Sequence, residues 1–171
     1  MTLPMDPLRR AFIRGRLAPP EKAVRPPWAI AERDFLDGCT RCGDCLGSCP
    51  ESILAGDADG FPVVDFSAGG CTFCRACVDA CGERLFLDPD RCEPWSHVAR
   101  VAGECLAWRG VFCMTCRDAC NADAIVFDAS VTRLPVPMPD LDACTGCGAC
   151  MAACPAAAIA MVDGDRTGAR P

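Results

Sequence analysis

The chain has no tyrosine, one histidine, one lysine and only three tryptophans in 171 residues. Proton-transfer groups are therefore scarce. No phosphate-binding loop, dinucleotide glycine motif or nucleophile–base pattern is present either, so an enzyme acting alone is not expected. No window reaches the apolar length of a membrane span, and a membrane-spanning chain is not expected. The N-terminus, MTLPMDPLRRAFIRGRLAPP, lacks the apolar run of a secretory signal. Leu8-Arg9-Arg10-Ala11-Phe12-Ile13 imitates a twin-arginine export signal, but Arg14-Gly15-Arg16 and Pro19-Pro20 follow where an apolar stretch belongs. A soluble, cytoplasmic chain is expected. Its side chains alone would build only a thin core, because small domains bury a small fraction of their surface.

Positive charge is scarce outside the N-terminus. The formal net charge is −6, yet residues 1–33 carry seven basic residues (Arg9, Arg10, Arg14, Arg16, Lys22, Arg25, Arg33) against three acidic ones. The body is therefore strongly acidic, which argues against a nucleic-acid partner. The basic segment has two readings: a solvated tail, or an arm that docks on an acidic partner through Arg9, Arg10, Arg14 and Arg16.

What is abundant is cysteine, with 17 residues. An odd count on a chain with no export signal points to metal rather than disulfides. The cysteines fall into four groups. Three read C-x2-C-x2-C-x3-C: Cys39, Cys42, Cys45 and Cys49; Cys71, Cys74, Cys77 and Cys81; Cys144, Cys147, Cys150 and Cys154. The irregular third group is Cys105, Cys113, Cys116 and Cys120, with seven residues after its first cysteine. Cys92 is left over. Groups one and two start 32 residues apart and groups three and four 39 apart, which suggests two repeated modules.

The regular run is that of bacterial two-cluster ferredoxins. Three thiolates two residues apart let a tight loop wrap one corner of an Fe4S4 cube. Small residues such as Gly43, Gly146 and Gly148 let backbone N–H groups approach the sulfurs. The fourth cysteine ligates the other cluster. That crossing rule gives four sets: Cys39, Cys42, Cys45 and Cys81; Cys49, Cys71, Cys74 and Cys77; Cys120, Cys144, Cys147 and Cys150; Cys105, Cys113, Cys116 and Cys154. Three [4Fe-4S] clusters follow from the regular groups and a fourth through Cys105, with iron held by these same cysteines. Paired zinc knuckles fit three repeats of this spacing poorly. Cys105 also reads as a buried helix cysteine, and Cys92 competes as the fourth ligand. His97, the one histidine, reads as a packing or surface residue.

The expected fold is α+β: tandem ferredoxin-like two-cluster modules with short helices and strands, nucleated by their clusters. The expected divisions are a basic arm (1–33), a first module (34–91), a helical connector (92–109), a second module (110–165) and a tail (166–171). Trp95, Val98, Ala102, Cys105 and Leu106 carry the helical period of the connector. A helical turn is expected at 50–54, turns at Asp57–Gly60 and Gly69-Gly70, and strands at Phe61–Phe66, Ala124–Phe127 and Ala158–Val162. Arg25-Pro26-Pro27-Trp28 and the proline-rich Leu134–Pro139 read as extended chain, the latter excluded from any central strand.

Arg9-Arg10 in a short arm, RPPW at 25–28, FLDGCTRCGDCLGSC at 35–49, then CTFCRACVDAC, the irregular group and CTGCGACMAACP follow in order. This arrangement resembles the NapF family, the ferredoxin-type accessory proteins of periplasmic nitrate reductase. The resemblance implies a cytoplasmic [4Fe-4S] protein that contacts the catalytic subunit of that reductase before export and assists its maturation. The three regular groups match the family's binding residues; the irregular group departs from the ferredoxin pattern. A plain electron carrier, resting on the clusters alone, is the second reading.

Overall fold

The computed structural model describes residues 23–164. Arg9, Arg10, Arg14 and Arg16, the twin-arginine look-alike and the tail after 165 lie outside the described residues. The elements are short: α1 (Glu32–Gly38), α2 (Asp44–Ser48), β1 (Leu54–Gly56), β2 (Pro62–Val64), α3 (Ala76–Asp79), β3 (His97–Val101), α4 (Thr115–Asp118), β4 (Ile125–Asp128), β5 (Val136–Pro139), α5 (Ala149–Ala153) and β6 (Ile159–Asp163). This is the mixed α+β architecture the spacing predicts.

Two units repeat one plan. Each has a central antiparallel hairpin between its two cysteine groups, β1–β2 in the first and β4–β5 in the second. The first hairpin turns at Asp57–Gly60, as expected. The Asp57 carboxylate accepts the Asp59 and Phe61 amides at 2.9 and 3.0 Å, an Asx turn closed by Gly60 at φ 86°. In the second hairpin Pro137 and Pro139 alternate with Val136 and Met138, so the missing N–H groups fall at every other register position. Leu134–Pro139 thus ends in a strand, one with a partner on a single side.

Each unit is closed by pairing its first and last extended segments. In the second, β3 runs antiparallel to β6 over five residue pairs, His97↔Asp163 to Val101↔Ile159. In the first, only Ala29↔Phe86 forms a bridge, flanked by Ile30 N–H to Leu85 O at 3.0 Å and Leu87 N–H to Trp28 O at 2.7 Å.

Four expectations are corrected. The helical connector is absent, because β3 occupies its centre. Its apolar residues have helical spacing, but Val98 and Val101 are β-branched and β6 supplies a backbone edge to pair with. The arm boundary at 33 is also too late. Residues 24–32 are built into the first unit: Trp28 is buried, and Arg25 binds Glu32 and Asp57 at 2.9 and 3.3 Å. The helical turn at 50–54 is a turn at Pro50-Glu51 that leads into β1, a strand too short to show a period. The next turn lies at Phe66–Ala68 rather than Gly69-Gly70, where Asp65 accepts the Ser67 amide at 2.9 Å.

The core is divided. The second unit buries small aliphatics and cysteines, namely Ala99, Cys116, Ile125, Cys150 and Ile159. The aromatics gather elsewhere. Trp28, Phe73, Trp95 and Phe66 form a row of edge-to-face contacts, with successive centroids 6.1, 5.7 and 6.0 Å apart. Among the described residues no helix is long and apolar enough to cross a membrane.

Candidate metal centre

The three regular runs share one backbone device. In each, the residue before the second cysteine and the residue after it are left-handed: Arg41 and Gly43 (φ 57° and 84°), Phe73 and Arg75 (54° and 69°), Gly146 and Gly148 (74° and 80°). Two such turns coil the loop around a centre, and the short helix that follows carries the third cysteine. That arginine and phenylalanine adopt this conformation shows that the loop geometry, not glycine, is what repeats. The irregular group lacks the device, since Met114 sits at φ −128°. Its first cysteine arrives instead from the turn after β3. A second device follows the last cysteine of groups one, three and four. Ser52, Asp123 and Ala157 are left-handed, and their amides bond back to the carbonyls of Cys49, Cys120 and Cys154 at 3.1, 3.1 and 3.2 Å.

These turns bring the cysteines together across groups. A cavity of about 170 Å³ is lined by Cys39, Cys42, Cys45 and Cys81, beside Phe35 and Leu85. A second is lined by Cys49, Cys71, Cys74 and Cys77, against Ile53 and Leu54. A third is lined by Cys105, Cys113, Cys116 and Cys154, against Val101, Leu106 and Ile159. Cys150 lies within electrostatic reach of Cys147, Cys144 and Cys120, and also of Cys116 from the neighbouring arrangement. Each arrangement draws its fourth cysteine from the other group of the unit. Cys92 lines none of these cavities; its carbonyl accepts Trp28 Nε1–H at 2.9 Å. His97 is half-buried against Trp95, with Nδ1 3.2 Å from Asp163.

The donors suit an iron–sulfur cube. Among the described residues no three His, Cys, Asp or Glu side chains stand close enough to share one metal ion. In three of the four arrangements the thiols surround a volume, as a cluster with iron at its corners requires. Backbone amides point at sulfur: Phe73 to Cys71 at 3.3 Å, Ala99 to Cys144 at 3.4 Å, Ala124 to Cys120 at 3.3 Å and Ala158 to Cys154 at 3.3 Å. Such donors stabilise negative charge on a cluster's sulfurs. Sequence reasoning named Gly43, Gly146 and Gly148 as the source of this approach. It missed that donors such as Ala99, Ala124 and Ala158 come from outside the loops, for which a sequence holds no signal.

Burial first, and then the neighbouring thiolates, push the thiols up: Cys45, Cys71 and Cys116 to about 11, Cys77 and Cys150 to about 12. Crowded thiolates without a cation are costly, so iron binding here must release protons. The structural residues around the sites are tuned the other way. Burial alone would raise the Asp57 carboxyl, but the Phe61 and Asp59 amides and the Arg25 guanidinium outweigh it and hold it below the usual carboxylate range.

Comparison with known proteins agrees with this geometry. Two segments, residues 33–82 and 111–163, match the family description "4Fe-4S dicluster domain". The ferredoxin-type protein NapF of Haemophilus influenzae is 44% identical over 165 residues, covering 91% of this chain and 93% of its own length. The NapF protein of Escherichia coli K12 is 38% identical over 155 residues, covering 91% and 94%. The chain belongs to the NapF family of ferredoxin-type proteins. A more distant relative is the methylamine utilization ferredoxin-type protein MauM of Methylobacillus flagellatus, 33% identical over 161 residues and covering 84% of this chain. The NapF-family chain is thus a [4Fe-4S] protein with two dicluster domains.

Proposed function

We propose that this NapF-family protein carries four [4Fe-4S] clusters and serves as a non-enzymatic, cytoplasmic accessory protein for the catalytic subunit of periplasmic nitrate reductase. It assists maturation of that subunit before export. The observation that carries the reading is similarity to NapF proteins along 91% of the chain, including both dicluster segments. The residues that would hold the clusters are the four crossed sets, with Cys105 rather than Cys92 completing the irregular one. Three of these sets line separate cavities, and in the remaining one Cys150 lies near Cys147, Cys144 and Cys120, which supports that assignment. When bound, such clusters supply one-electron redox chemistry. The chain's own residues orient the thiolates and donate N–H groups to sulfur. Arg9, Arg10, Arg14 and Arg16 are the docking residues of this reading.

The second reading, a plain electron carrier, is favoured by the amide-to-sulfur bonds that prepare the sites for added negative charge. One experiment separates the two. Nitrate reductase activity is measured in a strain lacking this protein, with electrons supplied by a dye that reduces the catalytic subunit directly. Under the maturation reading, activity falls although the subunit is present. Normal dye-driven activity with impaired physiological electron supply would leave only the carrier. Complementation with a chain lacking residues 2–22 tests the arm; full recovery would remove its docking role.

A further inference from the structure

The two units touch beside two of the cysteine sites. The Cys71 amide, in the second set, donates to the carbonyl of Cys147, in the third, at 2.7 Å. One peptide contact therefore links the backbones of residues that line different units' sites. The approach is tight. A Cβ on Gly70 would stand 2.7 Å from the Ala149 Cβ and 2.9 Å from the Ala149 nitrogen. A Cβ on Gly148 would overlap the Phe66 ring. Gly70 needs no left-handed conformation, so its lack of a side chain answers to the neighbouring unit alone. Trp95 Nε1–H donates to the Thr145 carbonyl at 3.1 Å, and the aromatic row from Trp28 to Phe66 flanks the same seam. Trp28, Phe66, Phe73 and Trp95 make up 4 of the chain's 11 tryptophan and phenylalanine residues.

Within each unit the two sites are already neighbours. The helix carrying Cys45 packs on the helix carrying Cys77, and Cys116 and Cys150 share one buried core. We infer that Gly70, Cys71, Cys147 and Gly148 form a built junction that joins the second and third cysteine sites, so that the four sites make one unbranched electron path rather than two separate pairs. The inference rests on the reading that all four sets hold clusters. Its ends are the Cys39/Cys42/Cys45/Cys81 site and the Cys105/Cys113/Cys116/Cys154 site. One electron leaves a low-potential one-electron donor, and one site is reduced by one. No bond to the chain breaks and no proton is required. A carrier built as two independent pairs would need no such seam.

The test compares wild-type holoprotein with Gly70→Glu, each fully reduced by dithionite, by iron and sulfide content and by electron paramagnetic resonance. Expected is equal iron and sulfide, with loss of part of the spin–spin broadening in the variant as two coupled pairs replace a row of four. Equal content with unchanged spectra overturns the junction. Should Gly70→Glu fail to fold, Gly70→Ala gives a graded version. Hydrogen exchange of the wild-type Cys71 amide needs no variant. Exchange as slow as that of the β3–β6 ladder supports the junction, and exchange as fast as an exposed loop overturns it. A wild-type iron content short of four clusters would sink the four-cluster reading, and the Cys71 exchange rate would still decide the seam.

Discussion

The first unit has two regular cysteine runs and a closing pair reduced to a single bridge at Ala29↔Phe86. The second has one broken run and a closing ladder of five residue pairs. Both bring cysteines together by the same crossing. In the first, paired left-handed turns in each run fix the thiols locally, and little sheet is needed. In the second, Cys105 has no such loop, and its position is inherited from β3, whose partner β6 follows directly on the turn after Cys154. Local coiling and sheet pairing are therefore two ways of placing a cysteine beside the others of its set. In the irregular run a strand brings Cys105 to the cavity that Cys113, Cys116 and Cys154 line.

Removing the metal should separate the two units most sharply. Under iron chelation, the first unit has little sheet left to hold it, and amides of Ile30, Val64 and Leu87 should lose their protection together. The β3–β6 amides from Val98 to Val101 should keep part of theirs, because a ladder persists without thiolate ligands. Hydrogen exchange before and after chelation measures this; equal loss in both units would erase the distinction.

A second comparison sharpens the broken run. Cys105→Ser should remove about a quarter of the bound iron, one cluster in four. Cys92→Ser, at a residue that lines none of the cavities described, should remove none. Iron analysis of the two purified variants decides it, and the reverse pattern would transfer the ligand role to Cys92.

The smallest effect concerns the first unit's substitute for a ladder. Arg25 ties the segment before α1 to Glu32 and Asp57 and faces the Phe35 and Phe61 rings at 5.8 and 5.7 Å. Arg25→Met should cost about 1 kcal/mol, since the Glu32 side is half-exposed and screened. The Asp57 carboxyl is depressed in the folded protein, so its contribution is present above the ordinary carboxylate value of about 3.9 and fades as pH falls through the lower folded value. Thermal unfolding between neutral and acid pH should show a shallower acid limb in the variant; identical slopes would remove Arg25 from that balance.

Much of this was legible in the residues. The cysteine spacing pointed to sets drawn from both groups of a unit, and three cavities are lined by cysteines in that combination, because the loop geometry is local to each run and repeats. The hairpin at Asp57–Gly60 was legible for the same reason, since an Asx turn is written in four residues. The closing pairs were not. Ala29 meets Phe86, and His97 meets Asp163, across stretches whose periodicity says nothing of each other. The Trp95–Leu106 segment misleads because five apolar residues happen to fall at helical spacing while tertiary pairing chooses a strand. Gly70 looked like a turn residue; its role depends on Ala149, far along the chain.

The closing pairs also set an order of assembly. The cysteines of the first two groups and the Ala29↔Phe86 bridge are all present once the chain has grown just past Leu87, and Trp28 gains the Cys92 carbonyl five residues later. The second unit stays open until β6 has left the ribosome. A nascent chain can therefore complete and load its first pair of sites while the second is still being made. The seam at Cys147 then forms last, against a half that is already finished.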